Sequence, residues 1–298
     1  MIEVKNLSLN IDGKNNILNN INIKMQKGKI YGIIGTNGVG KTTLIKCLTG
    51  IYEPSEGEVL YDGKNVYNSK EVKSNIAYVA DETHFFDAFS IKKIIEYFSL
   101  AYETFDKKRF EEMNEFFKID INKKYNQLSK GQRIRIYLMI AIAQNTDYII
   151  LDEPTAGLDP ILKNRLLNLL KQEIVKRKVT IIISSHHLSE LEKICDDVII
   201  INNGEISYIN TLENMKNKIK KIQVAFDLPV YEEDLNIEGV FKISKVGRVF
   251  TIITDDYSKE FISRLNRFNP LFIEEIDLTL EDMFIYKVER EDINEKFI

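Results

Sequence analysis

The chain has 298 residues, 44% hydrophobic and 29% charged, so it can bury a sizeable core and is not of disordered composition. Lys and Arg number 41 against 45 Asp and Glu, and the net charge of −4 gives no general pull toward nucleic acid. The two cysteines, Cys47 and Cys195, stand in no metal-ligand spacing and read as reduced, buried thiols of a cytosolic protein.

The first ten residues lack the basic head and apolar stretch of a signal peptide, and no apolar run approaches the ~20 residues of a membrane span. Alternation of Val4, Leu7 and Leu9, then Ile17, Ile21, Ile23 and Met25, predicts paired strands around a turn at Asp12-Gly13. An apolar strand over 29–34 runs into a glycine-rich loop, and a helix over 41–49 leaves it. Strands are predicted at 58–61 and 76–79. From 90 to 121 the spacing is helical: Ile91, Ile94, Ile95, Phe98 and Tyr102 share a face, and later Phe110, Met113, Phe116 and Phe117 do the same. A helix over 130–143 precedes strand 148–151, helix 161–176, strand 179–184, helix 187–194 and strand 197–201. All-apolar strands alternating with helices predict a parallel sheet covered on both faces. Near Thr211 the pattern changes. A charged helical link over 216–221 leads to strands at 222–228, 240–245, 248–254 and 271–277, with helices at 258–268 and 280–287. That is a small α+β domain, with a charged tail from Glu289 that is expected to fray.

Gly35-Thr36-Asn37-Gly38-Val39-Gly40-Lys41-Thr42-Thr43 follows a predicted strand, opens a helix and matches G-x-x-x-x-G-K-[ST]. Its glycines let the backbone curl so that successive N–H groups face phosphate oxygens. The helix aims its partial positive end at the same anion. Lys41 is expected to neutralise the β- and γ-phosphates of ATP, and the Thr42 hydroxyl to ligate Mg²⁺. Residues 148–153 form an apolar strand ending in the carboxylates Asp152 and Glu153. At the carboxyl edge of the sheet Asp152 would hold Mg²⁺ through water, leaving Glu153 to polarise the attacking water.

Three further segments fall in register with these. Leu128-Ser129-Lys130-Gly131-Gln132 opens the helix before the acid-ended strand, Ala156-Gly157-Leu158-Asp159 follows it, and Ser184-Ser185-His186 ends the next strand. Five motifs in this order resemble the nucleotide-binding domain of the ATP-binding cassette (ABC) family over about residues 1–210. The resemblance implies an α/β P-loop NTPase cassette over 1–212, with a mixed sheet and a helical subdomain at about 84–145, followed by an accessory α+β domain over 213–298. It implies ATP hydrolysis and an ATP-sandwich pair with a second copy or a close paralogue. Ser129, Gly131 and Gln132 would then contact the γ-phosphate across the interface. Asp159 would couple the two sites, and His186 would touch the γ-phosphate and hold Glu153 and the water. His84 and His187 read as structural.

Three positions depart from the family pattern. Ile11 stands where an aromatic residue usually stacks on adenine, which implies looser base selectivity or weaker nucleotide affinity. Asp81 stands near the place of a glutamine, and either it or Glu82 would reach the metal's water. Lys130 replaces a common glycine, and its side chain points either to solvent or toward the partner's nucleotide. In transporters of this family the region of Phe85, Phe86 and Phe89 receives the membrane permease. The segment 278–284 is similar to the end of bacterial exporter ATPases, of drug or peptide-antibiotic type. The resemblance therefore implies a peripheral subunit at the cytoplasmic face of the membrane, soluble when expressed alone. The alternative is a soluble ABC ATPase acting in translation or DNA maintenance.

Overall fold

Alternating burial along Ile2–Asn10 (β1) and Asn16–Met25 (β2) places Ile2, Val4, Leu7, Ile21, Ile23 and Met25 on one buried face. In this computed structural model, which describes residues 1–10, 16–81, 86–214 and 219–284, β1 and β2 pair antiparallel. Glu56–Tyr61 (β4) and Lys64–Asn65 (β5) complete a four-stranded sheet in the order β2-β1-β4-β5. The turn predicted at Asp12-Gly13 lies outside the described residues.

Strands buried at nearly every position make up most of the second sheet. Ile30–Ile34 (β3), Ile76–Val79 (β6), Tyr148–Asp152 (β7), Thr180–Ser184 (β8) and Asp197–Asn202 (β9) pair in parallel. With Glu205–Thr211 (β10) the order is β10-β9-β3-β8-β7-β6. Runs such as Ile149, Ile150, Leu151 and Ile181, Ile182, Ile183 are buried on both faces, as parallel sheets require. Because β3, β6, β7 and β8 all run the same way, their carboxyl ends lie along one edge.

Helix Lys41–Leu48 (α1) follows β3, and the short helix Lys70–Ser74 (α2) leads into β6. Helices Ile91–Ala101 (α3), Lys107–Phe117 (α4) and Lys130–Ala143 (α5) enclose their own apolar cluster around Ile94, Phe110, Ile136, Met139 and Ile140. Pro160–Arg177 (α6) and Leu188–Leu191 (α7) link β7, β8 and β9. Buried Glu173 of α6 accepts from Arg109 of α4 and, at 3.0 Å, from Arg177.

The chain divides into two compact units, Met1–Ile209 and Asn210–Ile298. In the second, Lys220–Phe226 (β11), Val240–Val246 (β12), Val249–Thr254 (β13) and Pro270–Ile276 (β14) form an antiparallel sheet of order β12-β13-β11-β14. Helix Lys259–Asn266 (α8) lies between β13 and β14, and a single 3-10 turn, Glu232–Leu235, stands between β11 and β12. This is a split β-α-β arrangement with its first helix reduced to one turn. Val224, Phe226, Phe250 and Ile252 pack against Phe261 and Leu265. The helical link predicted over 216–221 is corrected at its end: Lys220 and Lys221 open β11, held by ladders to Thr254 and Ile276. Residues 215–218 lie outside the described residues. A helical turn at 280–284 buries Leu280 and Met283, while Asp282 closes its start through Thr279 and pairs with Lys221 at 2.8 Å.

A charge cluster closes the first sheet. Asp62 accepts from the Met1 ammonium at 2.6 Å and the Tyr148 hydroxyl at 3.3 Å, and pairs with Lys27 at 2.7 Å. Partial burial pushes the Asp62 carboxyl up, but the hydrogen bonds and charges of Lys27 and the Met1 ammonium outweigh that and hold it at about 2. A carboxyl depressed below its unfolded value of about 4 adds stability above that pH and loses it as pH falls toward 2. Both partners are half exposed, so the contribution is about 1 kcal/mol or less. Asp62→Asn is expected to be slightly less stable than wild type at pH 6 and indistinguishable from it below pH 2. Urea midpoints across that range check this, and a constant difference down to pH 2 would refute it.

Candidate functional site

Buried strand β3 delivers the chain to Gly35, where a Cβ would stand 2.6 Å from both the Ile201 carbonyl oxygen and Val39 Cγ2. Only glycine fits. Gly40 takes a left-handed φ of 105° and caps α1. Lys41 is 7% exposed, and its Nζ folds back to donate to the carbonyls of Gly35 at 2.9 Å and Thr36 at 3.1 Å. Thr42 is exposed and Thr43 half-buried, while Val39 packs on the core. Asn37, Gly38, Gly40, Lys41, Thr42 and Thr43 line a cleft of about 430 Å³ together with Asp81, Glu153, Ala156 and His186.

The acids arrive on β7. Asp152 is 1% exposed, and its Oδ1 accepts from Ser184 Oγ at 2.7 Å. The same Ser184 Oγ accepts from the Glu153 N–H at 2.9 Å. Glu153 has φ 48°, an uncommon left-handed conformation for a non-glycine residue. The turn swings its carboxylate into the cleft, with Oε1 3.8 Å from Lys41 Nζ and Oε2 2.8 Å from His186 Nδ1. The His187 ring leans on His186, centroids 4.0 Å apart, while its N–H donates to Ser185 Oγ. The cleft thus gathers a buried cation, a curled backbone and a carboxylate gripped by an imidazole. That set can hold a polyphosphate and take a proton from a water beside it. A larger groove of about 700 Å³, between α4 and α6, holds none of these groups.

The sequence model of the ABC transporter family matches residues 18–156. The ABC transporter ATP-binding protein YtrB of Bacillus subtilis is 30% identical over 287 residues, covering 96% of this chain and 98% of its own. The chain belongs to the ABC transporter family. As an ABC ATP-binding subunit it is an ATPase that couples hydrolysis to transport. The methionine import ATP-binding protein MetN of Clostridium acetobutylicum is 30% identical over 280 residues, covering 88% of this chain and 86% of its own. A solved ATP-binding subunit of an ABC transporter superposes with a TM-score of 0.66 at 25% identity, over 73% of this chain and 92% of that one.

Elsewhere in the ABC cassette, local structure occupies several of the predicted site residues. Ser129 caps α5: its Oγ accepts from the Gln132 N–H at 3.3 Å, and Gln132 Oε1 accepts from the Ser129 N–H at 3.0 Å. This reciprocal capping box was legible as S-x-x-Q and was missed beside the family motif. A Cβ on Gly131 would meet Leu158 at 3.2 Å. Asp159 caps α6, with Oδ1 accepting from the N–H groups of Ile161 and Leu162 at 3.0 Å. Ser184 carries no role in the motif reading; its signal is its place at the end of a strand beside the acid pair. Ile11, Glu82, His84 and Phe85 lie outside the described residues.

One expectation is corrected. Phe86 is 8% exposed and belongs to the core of the helical subdomain, packed on Phe89, Tyr97 and Phe98. Three aromatic neighbours sequester it, so it offers no surface to a permease. Phe89 is 46% exposed. No helix among the described residues is long and apolar enough to cross a membrane.

For Mg²⁺ the donors are hard oxygens: the Thr42 hydroxyl and the carboxylates of Asp152 and Asp81. Among the described residues no group of three His, Cys, Asp or Glu gathers as a metal site. Hard oxygens such as Thr42 and Asp81 at the lip of the phosphate-loop cleft suit an ion that keeps several waters and leans on substrate phosphates. The residues therefore fit Mg²⁺.

Proposed function

We propose that this chain is the ATP-hydrolysing subunit of a membrane exporter, with Glu153 as the general base. The observation that carries this is the position of the Glu153 carboxylate, between His186 Nδ1 at 2.8 Å and Lys41 Nζ at 3.8 Å in the cleft. Loop 35–43 wraps the phosphates with its N–H groups, Lys41 neutralises the β- and γ-oxygens, and Thr42 would ligate Mg²⁺ directly, with Asp152 and Asp81 holding it through water. Mg²⁺, when bound, neutralises charge on the phosphates. Glu153 accepts the proton of the attacking water. His186 positions that carboxylate and touches the γ-phosphate.

ABC cassettes form ATP-sandwich dimers and work with membrane permeases. Here Ser129, Gly131 and Gln132 of a second copy would close on the γ-phosphate, with Asp159 between the two sites. Phe89, backed by the aromatic core under it, is the proposed permease contact. The export direction is supported by the resemblance of segment 278–284 to exporter ATPases. Import is the competing reading, carried by the likeness to MetN. In proteoliposomes with the permease, ATP on the cassette's side should move substrate to the opposite side, and movement toward the cassette makes the protein an importer.

Lys41 supplies charge-assisted hydrogen bonds worth about 1.5–3 kcal/mol. Lys41→Met should therefore raise the ATP dissociation constant by about 10- to 150-fold. Titration with a fluorescent ATP analogue tests this, and unchanged affinity would displace the phosphates from this loop.

A further inference from the structure

Asp81 and Lys130, two positions where the sequence departs from its family, meet each other. Lys130 Nζ lies 3.4 Å from Asp81 Oδ1, across 49 residues of chain. Asp81 follows β6 and lines the cleft with Lys41, Glu153 and His186. Lys130 is the first residue of α5, next to the cap Ser129. Its stem crosses Gly157, where a Cβ would stand 3.6 Å from Lys130 Cδ, and Gly157 itself holds a left-handed φ of 74°. Helix α5 is thereby tied, through a side chain, to the cleft of its own chain.

Neither charge is well placed alone. A cation in the first turn of a helix opposes the helix dipole. A carboxylate added near Glu153, where a triphosphate is to sit, adds like charge. Within ion-pair distance each offsets the cost of the other. An incoming triphosphate disturbs this balance, because its charge competes with Asp81 for Lys130.

We propose that the Asp81–Lys130 pair is a latch in cis, holding the N-terminus of α5 at the cleft of its own chain until bound nucleotide loosens it and frees that helix end for a second copy. The inference rests on the ATP-site assignment above. Lys130 is here a positioning residue: it sets when two copies join, not how fast the phosphate bond breaks. The pair is more than two-fifths exposed on both sides. Exposed pairs contribute about 0.2–1 kcal/mol, which sets the effect at about 1.4- to 5-fold. Such a pair is also screened by salt.

The test is a double-mutant cycle on the full chain: wild type, Asp81→Asn, Lys130→Gln and the double variant. Sedimentation velocity gives the concentration of adenylyl imidodiphosphate, a non-hydrolysable ATP analogue, at which half the protein is dimeric. Because Asp81 also lines the nucleotide cleft, each midpoint is divided by that variant's own monomer dissociation constant for the analogue, and on that scale each single variant should lower it about 1.4- to 5-fold. The double variant should lower it no further, and high salt should bring wild type toward the variants. Additive single effects, or single variants with the wild-type midpoint, overturn the latch. So does a raised midpoint for Lys130→Gln, which would assign Lys130 to the partner's phosphates. A wild-type chain that binds no analogue sinks the ATP-site assignment itself, whereas one that binds, dimerises and gives an additive cycle sinks the latch alone.

Discussion

Glu153→Gln should leave ATP affinity within about twofold of wild type and lower turnover by about 10²- to 10⁴-fold, the usual worth of a positioned general base. Glutamine keeps the size of the side chain and an acceptor oxygen for His186, which now sits 2.8 Å away. It cannot take the proton of the attacking water. The backbone demands little change, because φ 48° at this position strains glutamine about as much as glutamate. The variant should therefore fold, bind ATP and stall with two nucleotides trapped between two copies. Single-turnover phosphate release, set beside equilibrium ATP binding, separates the two effects. Wild-type turnover in Glu153→Gln removes Glu153 as the base and leaves His186 as the next candidate.

The second large effect lies in the C-terminal unit. Phe250, on β13, is 2% exposed and meets Phe226 edge-on, with ring centroids 5.6 Å apart. Lys245 Nζ stands 4.6 Å from its ring centre. Phe250→Ala removes this packing and leaves a cavity, at about 3–5 kcal/mol. A small domain holds only about 5–15 kcal/mol in total. The C-terminal unit is thus expected to melt in a separate, earlier transition. Limited proteolysis should then cut first within residues 210–298. A single unfolding transition at the wild-type midpoint would show that Phe250 is not a keystone of this unit.

The fold was legible where the chain writes long, one-sided patterns. The fully buried strands at 148–152 and 180–184, each with an unbroken apolar run at its centre, and the helix at 130–143 stand close to where their spacing places them. The two-residue strand β5 and the five-residue helix α2 carry too few residues for a period. The link before β11 was misread because lysines suit a helix, whereas the strand that Lys220 and Lys221 open is imposed by neighbours distant in sequence. The cleft was legible as an order of motifs. Phe86 was not: an aromatic residue in a loop beside acids looks exposed until Tyr97 and Phe98 are seen around it. The Asp81–Lys130 contact was equally hidden, since nothing in a linear text pairs residues 49 positions apart.

The Ser129 cap has a consequence for the encounter of two molecules. Its hydroxyl and the Gln132 side chain are already engaged with each other's backbone. In the proposed pairing, two empty copies that meet find the Gln132 amide already engaged, and what the helix end still offers is donors, the Ser129 O–H and the first-turn N–H groups. An anion held by the other copy is the group those donors suit. Association under that proposal is conditional on a bound anion, and slowed hydrogen exchange at the Gln132 amide would report that the cap has been pinned across the interface.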